Sequence, residues 1–100
     1  MLPVKRHRLV RVDIQSAYDW YETRQSGLGW EFIEDFRHAH NRLQQSPELY
    51  SIRFSNVRRL NLGRFPYGIF YVLKPDQIQM LGVLHASRDT ESVLANRRGL

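Results

Sequence analysis

The stretch Phe65–Leu73, with the sequence Phe-Pro-Tyr-Gly-Ile-Phe-Tyr-Val-Leu, decides the fold class. Its second half is apolar almost throughout, whereas a half-exposed strand alternates apolar and polar residues. An unbroken apolar run of this length is typical of a central strand that is covered on both faces. The rest of the chain must therefore supply neighbouring strands, and both faces of the sheet must be covered.

Strands on both sides of this run are predicted from shorter patterns. Before it, residues 58–62 alternate, which places Arg59 and Asn61 on the face opposite the two leucines. After it, residues 74–77 (Lys-Pro-Asp-Gln) form a turn, and Ile78–His85 is predicted to be the next strand. The short connections favour an antiparallel meander.

Two amphipathic helices are predicted ahead of these strands. Asp13 is the predicted N-cap of the first helix, and Gly27 is predicted to end it. The second helix is predicted over Leu28–Gln45 and stops before Pro47, because the residue before a proline disfavours the helical conformation. The apolar stripe of the first helix is Ile14, Ala17, Tyr18 and Tyr21, and that of the second is Leu28, Phe32, Phe36, Ala39 and Leu43.

The ends of the chain complete the predicted order. Val4–Val12 is predicted to be a first strand, and the tail from about Asp89 is predicted to be partly helical. The fold class is α+β with the order β-α-α-β-β-β, in which a helical hairpin packs on one face of an antiparallel sheet. Because one hairpin covers one face, the tail or another chain must cover the other.

Composition narrows the class of protein. A length of 100 residues predicts a single domain over 1–100. The absence of cysteine excludes disulfides, thiolate zinc sites and cysteine nucleophiles. The apolar runs are too short for a membrane span or a signal peptide, so we expect a cytoplasmic protein without a membrane partner. The formal charge of +5, with thirteen arginines among fifteen cations, favours nucleic acid or an acidic protein as partner.

Histidines and carboxylates give few catalytic candidates. His38 and His40 lie about 200° apart around the second helix and cannot share a metal ion, so no metal and no cofactor is expected. His85, at the end of the last predicted strand, is a candidate general base, although a structural role is the alternative. Three carboxylates on the outer side of the second helix are interpreted as solvating charge: Glu31, Glu34 and Asp35.

Arginines from strands or strand ends are the remaining candidates. The guanidinium group suits phosphates and carboxylates, because its planar fork donates to two oxygens at once. The alternative is that these side chains are exposed cations that keep a small protein in solution. The set consists of Arg53, Arg58, Arg59, Arg64 and Arg88.

Several motifs, in order along about Asp13–Asp89, resemble the RelE/ParE toxin family. The segments that carry the resemblance are Trp20–Glu22, Gly27–Gly29 and Phe32 in the hairpin, Ser46–Tyr50 at the helix exit, Val57–Arg59 and Arg64–Tyr71 in the second and third strands, and Leu81–Asp89 in the last strand and its exit. The resemblance implies the toxin of a type II toxin–antitoxin pair, which is neutralised by a cognate acidic antitoxin. The fold it implies is the one predicted above.

The family has two activities, cleavage of mRNA on the ribosome and poisoning of DNA gyrase. The nuclease branch carries alternating basic residues on the second strand, where this chain has Arg59 and then Asn61. It has an arginine directly after the third-strand tyrosine, where this chain has Gly68, and a late tyrosine, where this chain has Leu94. Two of the groups typical of the nuclease branch are present, Arg59 on the second strand and Arg88 at the exit of the last strand, and the others are missing. The resemblance therefore implies the ParE branch.

The expected function is thus inhibition of DNA gyrase, with no catalytic residue assigned and enzyme activity left open. One alternative is a ribosome-dependent, metal-independent mRNA endonuclease that uses Arg59, Arg88 and His85. Another is a non-toxic basic binding module. The antitoxin is expected to cover the sheet face away from the hairpin and to contact Arg59. The residues expected to bind the target or the antitoxin are Arg58, Arg59, Arg64, Tyr67 and Arg88.

Overall fold

A computed structural model describes residues 1–97, in which a five-stranded sheet packs with three helices. The elements in chain order are β1 (Val4–Arg6), α1 (Val10–Arg24), α2 (Leu28–Gln45), β2 (Ile52–Phe54), β3 (Val57–Asn61), β4 (Tyr67–Leu73), β5 (Ile78–His85) and α3 (Thr90–Ala95). The strand order is β1-β5-β4-β3-β2, and all neighbours are antiparallel except β1 and β5. The predicted α+β architecture is confirmed.

The first strand is shorter than the predicted Val4–Val12, because α1 begins at Val10. The imidazole Nδ1 of His7 accepts a hydrogen bond from the Leu9 N–H at 3.0 Å, and this contact accompanies the turn from strand to helix. Asp13 therefore lies in the first turn of α1, and its prediction as the N-cap is wrong. Its carboxylate makes tertiary contacts instead.

The second helix has the predicted bounds, but the hairpin connection differs from the prediction. Gly27 was predicted to end α1, which ends at Arg24; with a φ of +90° Gly27 instead precedes α2. Glu22 of α1 accepts hydrogen bonds from the N–H groups of Gly27 and Gly29, at 2.9 and 3.0 Å. The carboxylate thus satisfies N–H groups that the start of a helix leaves without a partner.

A short strand, β2, was not predicted as a separate element. It turns back at Ser55, which has a φ of +49°, and pairs with β3 only through Ile52–Arg58 and Phe54–Val57. The second half of β3, Arg59–Asn61, is therefore not paired with β2 beyond one bond from the Arg59 N–H to the Ser51 carbonyl. This leaves the β3 edge accessible at the point where its polar residues lie.

The sheet carries a core on each face. On the hairpin face, Phe32, Leu43 and Tyr71 are fully buried, and the Tyr71 hydroxyl donates to the Pro47 carbonyl at 2.6 Å. Burial raises the pKa of Tyr71 to about 12. The second core is covered by α3 and consists of Val57, Phe70, Val72, Leu81, Leu84 and Leu94. Of the two expected covers for this face, the tail is therefore the one observed.

A buried ion pair ties the first helix to the residues after α3. The Asp13 carboxylate accepts from Nη1 and Nη2 of Arg97 at 2.7 and 3.2 Å. Arg97 also donates to the Leu81 carbonyl at 3.1 Å, and Asp13 accepts from the Val83 N–H at 3.0 Å. Gly82 leaves room for this contact, since a Cβ there would lie 2.9 Å from Arg97 Nη1.

Candidate functional site

The candidate residues do not form one site. Some line two surface grooves, and Arg58 and Arg64 instead contact other groups of the chain. The α1 groove, of about 420 Å³, lies between α1 and the end of β5 and contains Tyr67, His85 and Arg88. The β3 groove, of about 310 Å³, lies at the open β3 edge and contains Arg59 and Arg53. The three residues of the predicted nuclease set, Arg59, Arg88 and His85, are therefore divided between the two grooves.

In the α1 groove, Tyr67 and His85 face each other across β4 and β5. Their ring centroids are 5.2 Å apart in an edge-to-face arrangement. The His85 Nδ1 accepts a hydrogen bond from the Ser87 N–H at 3.0 Å. A neutral imidazole that accepts at Nδ1 carries its proton on Nε2, so it offers a donor to a ligand rather than the lone pair that a general base requires.

Tyr67 is half-buried against the aromatic side chains of the hairpin core. Its ring packs 5.0 Å from Phe32 and 6.1 Å from Tyr21, centroid to centroid. Burial and then the neighbouring Tyr21 raise the pKa of Tyr67, whereas the charge of Arg88 acts in the opposite direction. Its hydroxyl therefore stays protonated at neutral pH and is available as a hydrogen-bond donor.

Trp20, which also lines this groove, was missed as a site residue. Its side chain is 54% exposed, and the Arg24 guanidinium lies 3.4 Å from the ring centroid. The sequence signal was its position outside the apolar stripe of α1, which is unusual for a large aromatic residue with no place in the core. An exposed tryptophan beside an arginine is typical of a protein-binding surface.

Arg58 and Arg64 line neither groove. Arg58 Nη1 donates to the carbonyls of Glu48 and Tyr50, at 3.0 and 2.9 Å, and so holds the connection between α2 and β2. Arg64 forms an ion pair with Glu31. The structure therefore gives Arg58 a supporting role in a loop and pairs Arg64 with a carboxylate at the surface of α2.

The interpretation of Asp35 as solvating charge is wrong. Its carboxylate accepts from the N–H groups of Gly63, Arg64 and Phe65, at 3.2, 2.9 and 2.8 Å. These bonds hold the loop between β3 and β4 against α2. Glu34 remains an exposed partner of Arg37 at 3.1 Å.

In the β3 groove, Arg59 lies flat across the sheet. Its Nε donates to Asn61 Oδ1 at 2.6 Å, and its guanidinium carbon is 5.2 Å from the centroid of the Phe70 ring. This is possible because residue 68 is glycine: a Cβ there would lie 2.6 Å from Arg59 Nε. Burial, and after it the charge of Arg53, lower the pKa of Arg59.

The sequence matches the family model described as "ParE toxin of type II toxin-antitoxin system, parDE" over residues 4–90. The chain belongs to the ParE toxin family. The structure of this ParE-family toxin is similar to a solved structure described as the chromosomal ParDE toxin–antitoxin system from P. aeruginosa, with a TM-score of 0.67 and 18% identity. That match covers 87% of this chain and 98% of the other, and it supports the fold. A comparison with curated protein sequences gave no match.

The described residues of this ParE-family toxin form neither a metal site nor a membrane-spanning helix. Within residues 1–97, no group of three or more His, Asp or Glu side chains is placed to hold a metal ion. His38 is exposed, whereas the His40 ring packs 5.9 Å from that of Phe36. In the same part of the chain, no helix combines the length and apolar character needed to cross a membrane.

Proposed function

We propose that this ParE-family toxin inhibits DNA gyrase, and so blocks replication until an antitoxin neutralises it. The observation that supports gyrase over the ribosome as target is that the Arg59 side chain occupies the space directly above Gly68. A Cβ at position 68 would start 2.6 Å from Arg59 Nε, so an arginine there would displace Arg59 from its position over the sheet. Cleavage of RNA also needs an acid and a base beside the cations that hold the phosphate, and His85 lies in the other groove, apart from Arg59.

The α1 groove supports a protein target. It combines exposed Trp20 with Tyr67 and Arg88, and apolar side chains of α1 line its floor. Aromatic residues and arginine are the side chains that contribute most to binding in protein interfaces. We assign Trp20, Tyr67 and Arg88 to gyrase contact. We leave Arg58 and Arg64 out because both lie outside this groove and already have acceptors within the chain.

Purified toxin is expected to inhibit supercoiling of relaxed plasmid by gyrase, and added antitoxin is expected to restore it. The double variant Trp20→Ala, Arg88→Ala is expected to raise the half-inhibitory concentration at least about tenfold, since it removes both proposed anchors. Arg37→Ala, which removes an exposed cation on α2, is the matched control and is expected to inhibit like the wild type. Full supercoiling at saturating toxin would contradict the proposal.

The endonuclease alternative has one observation in its favour, since Tyr67, His85 and Arg88 line the same groove. Primer extension on translated mRNA after induction distinguishes it. Codon-phased cuts would replace the gyrase assignment by the endonuclease, and cultures that keep growing on induction would favour a non-toxic binding module. We expect growth arrest with an unchanged cut pattern.

We further propose that the partner is an acidic antitoxin that contacts Arg59 on the sheet face away from the hairpin. Residues 49–75 contain five cations and no carboxylate, so this part of the surface attracts an acidic segment. Leu94 of α3 already covers the second core, and this restricts the proposed contact to the β3 side of that face.

Arg59→Glu is expected to weaken the toxin–antitoxin complex, and by a larger factor at low salt than at high salt. The physical reason is that the substitution places like charges in contact, and salt screens that repulsion. Titration calorimetry at two salt concentrations measures the effect. Arg37→Glu provides the same charge reversal away from the proposed surface, and equal affinities for wild type and Arg59→Glu at both concentrations would reject this placement.

A further inference from the structure

We propose that the β3 groove binds the phosphate groups of a nucleic-acid backbone, so that the toxin has a nucleic-acid contact in addition to its proposed action on gyrase. The groove lies where β2 no longer pairs with β3. Three arginines from three different elements meet there: Arg42 of α2, Arg53 of β2 and Arg59 of β3. Arg53 and Arg59 are brought together by the pairing of β2 with β3, and the packing of α2 adds Arg42.

Asn61 organises two of these three arginines. Its backbone carbonyl accepts from Arg42 Nη2 at 3.1 Å, and its side-chain oxygen accepts from Arg59 Nε at 2.6 Å. Each guanidinium thus uses one N–H to fix its orientation and keeps others for a ligand. The N–H groups of successive strand residues point to opposite edges, so those of residues 59 and 61 point the same way. The Arg59 N–H donates to the Ser51 carbonyl on the β2 side, and the Asn61 N–H therefore also faces this edge.

The groove has a strong excess of positive charge. Its lining contains three arginines and no carboxylate, and within residues 1–97 none of these three arginines forms an ion pair. The charge of Arg53 also contributes to lowering the pKa of Arg59, which places the two cations close enough to repel each other. An anion bound between them would relieve that repulsion.

The lining favours phosphate over an apolar peptide side chain. Besides the arginines it offers Tyr50, Ser51 and Asn61, with Leu49 as its aliphatic residue. The α1 groove, by contrast, presents Trp20 and several aliphatic side chains. Protein interfaces depend on buried aromatic or aliphatic anchors, whereas contacts to phosphates come mainly from arginine, lysine and small polar groups. Phosphate oxygens also point in several directions and suit guanidinium groups that approach from three elements.

Fluorescence anisotropy with labelled duplex DNA, single-stranded DNA and RNA of mixed sequence tests the proposal. For the duplex, three phosphate contacts predict a slope of about −2.7 in a plot of log binding constant against log salt concentration. Arg42→Gln and Arg53→Gln are each expected to reduce that slope by about one and to weaken binding equally across sequences. Far-UV circular dichroism confirms that each variant is folded. The three probes show which nucleic acid supplies the phosphate.

Arg37→Gln removes one exposed cation outside the groove and is expected to leave the slope unchanged. An equal loss with Arg37→Gln would overturn the proposal, because binding would then follow net charge. Tighter binding of polyglutamate than of nucleic acid of equal length would overturn it, because the groove would then serve the acidic segment of the antitoxin proposed above and not a phosphate backbone. Supercoiling inhibition by the wild-type toxin is measured separately, so a toxin that inhibits gyrase but binds no nucleic acid refutes the groove assignment alone.

Discussion

Asp13→Asn is expected to lower the free energy of unfolding by about 3–5 kcal/mol, because it leaves a buried arginine without its counter-ion. The side chains of Asp13 and Arg97 are only 7% and 10% exposed, and the carboxylate accepts both guanidinium N–H groups and the Val83 N–H. A domain of this size has a stability of about 5–15 kcal/mol, so the loss is a large part of the total. Urea denaturation at pH 7 measures it.

An exposed ion pair on α2 provides the matched control. Arg37 and Glu34 are 70% and 55% exposed, and Glu34→Gln is expected to change the stability by less than about 0.5 kcal/mol. The double variant Asp13→Asn, Arg97→Met is expected to recover part of the loss, since it removes the unpaired charge. An Asp13→Asn variant within about 1 kcal/mol of the wild type would show that the pair does not hold α1 to the chain after α3.

Leu94→Ala is expected to lower the free energy of unfolding by about 2–5 kcal/mol. Leu94 is fully buried in the second core, and together with the partly buried Val93 it packs α3 against that face of the sheet. The cavity it would leave cannot be refilled easily, because Gly82 lies directly beneath it: a Cβ there would be 3.0 Å from Leu94 Cδ2. Thermal and urea unfolding measure the loss.

Glu91→Ala on the same helix is the control for this prediction, because Glu91 is exposed and its replacement keeps helix propensity high. It is expected to shift the stability by less than about 0.5 kcal/mol. If both variants unfold like the wild type, α3 contributes nothing to the core, and the second face of the sheet must obtain its cover from a partner.

Elements with a strong local pattern were predictable from sequence. The bounds of α2 and β5 agree with the prediction, because an apolar stripe identifies the helix and a largely apolar run after the turn at 74–77 identifies the strand. β2 has only three residues and offers no periodicity. The role of Asp13 depends on a partner 84 positions away, which no local pattern contains.

The candidate site was predictable to the extent that strand alternation governs it. Alternation placed Arg59 and Asn61 on the face opposite Leu60, and the contact between their side chains agrees with this. The sequence could not reveal that Arg58 donates to the backbone carbonyls of Glu48 and Tyr50. Every residue type has such a carbonyl, so a backbone acceptor leaves no signal in the sequence. It also could not show that Gly68 leaves space for Arg59, because that depends on the register of β3 and β4.

The parallel pairing of β1 with β5 has a consequence for the order of events during synthesis. Val4 pairs with Ile78, so β1 has no partner in the sheet until β5 has been made. The contact between Asp13 and Arg97 forms later still. Contacts between distant residues also slow folding. The sheet of this toxin is therefore completed only after Ile78 has been made, and the ion pair between α1 and the residues after α3 only after Arg97 has been made.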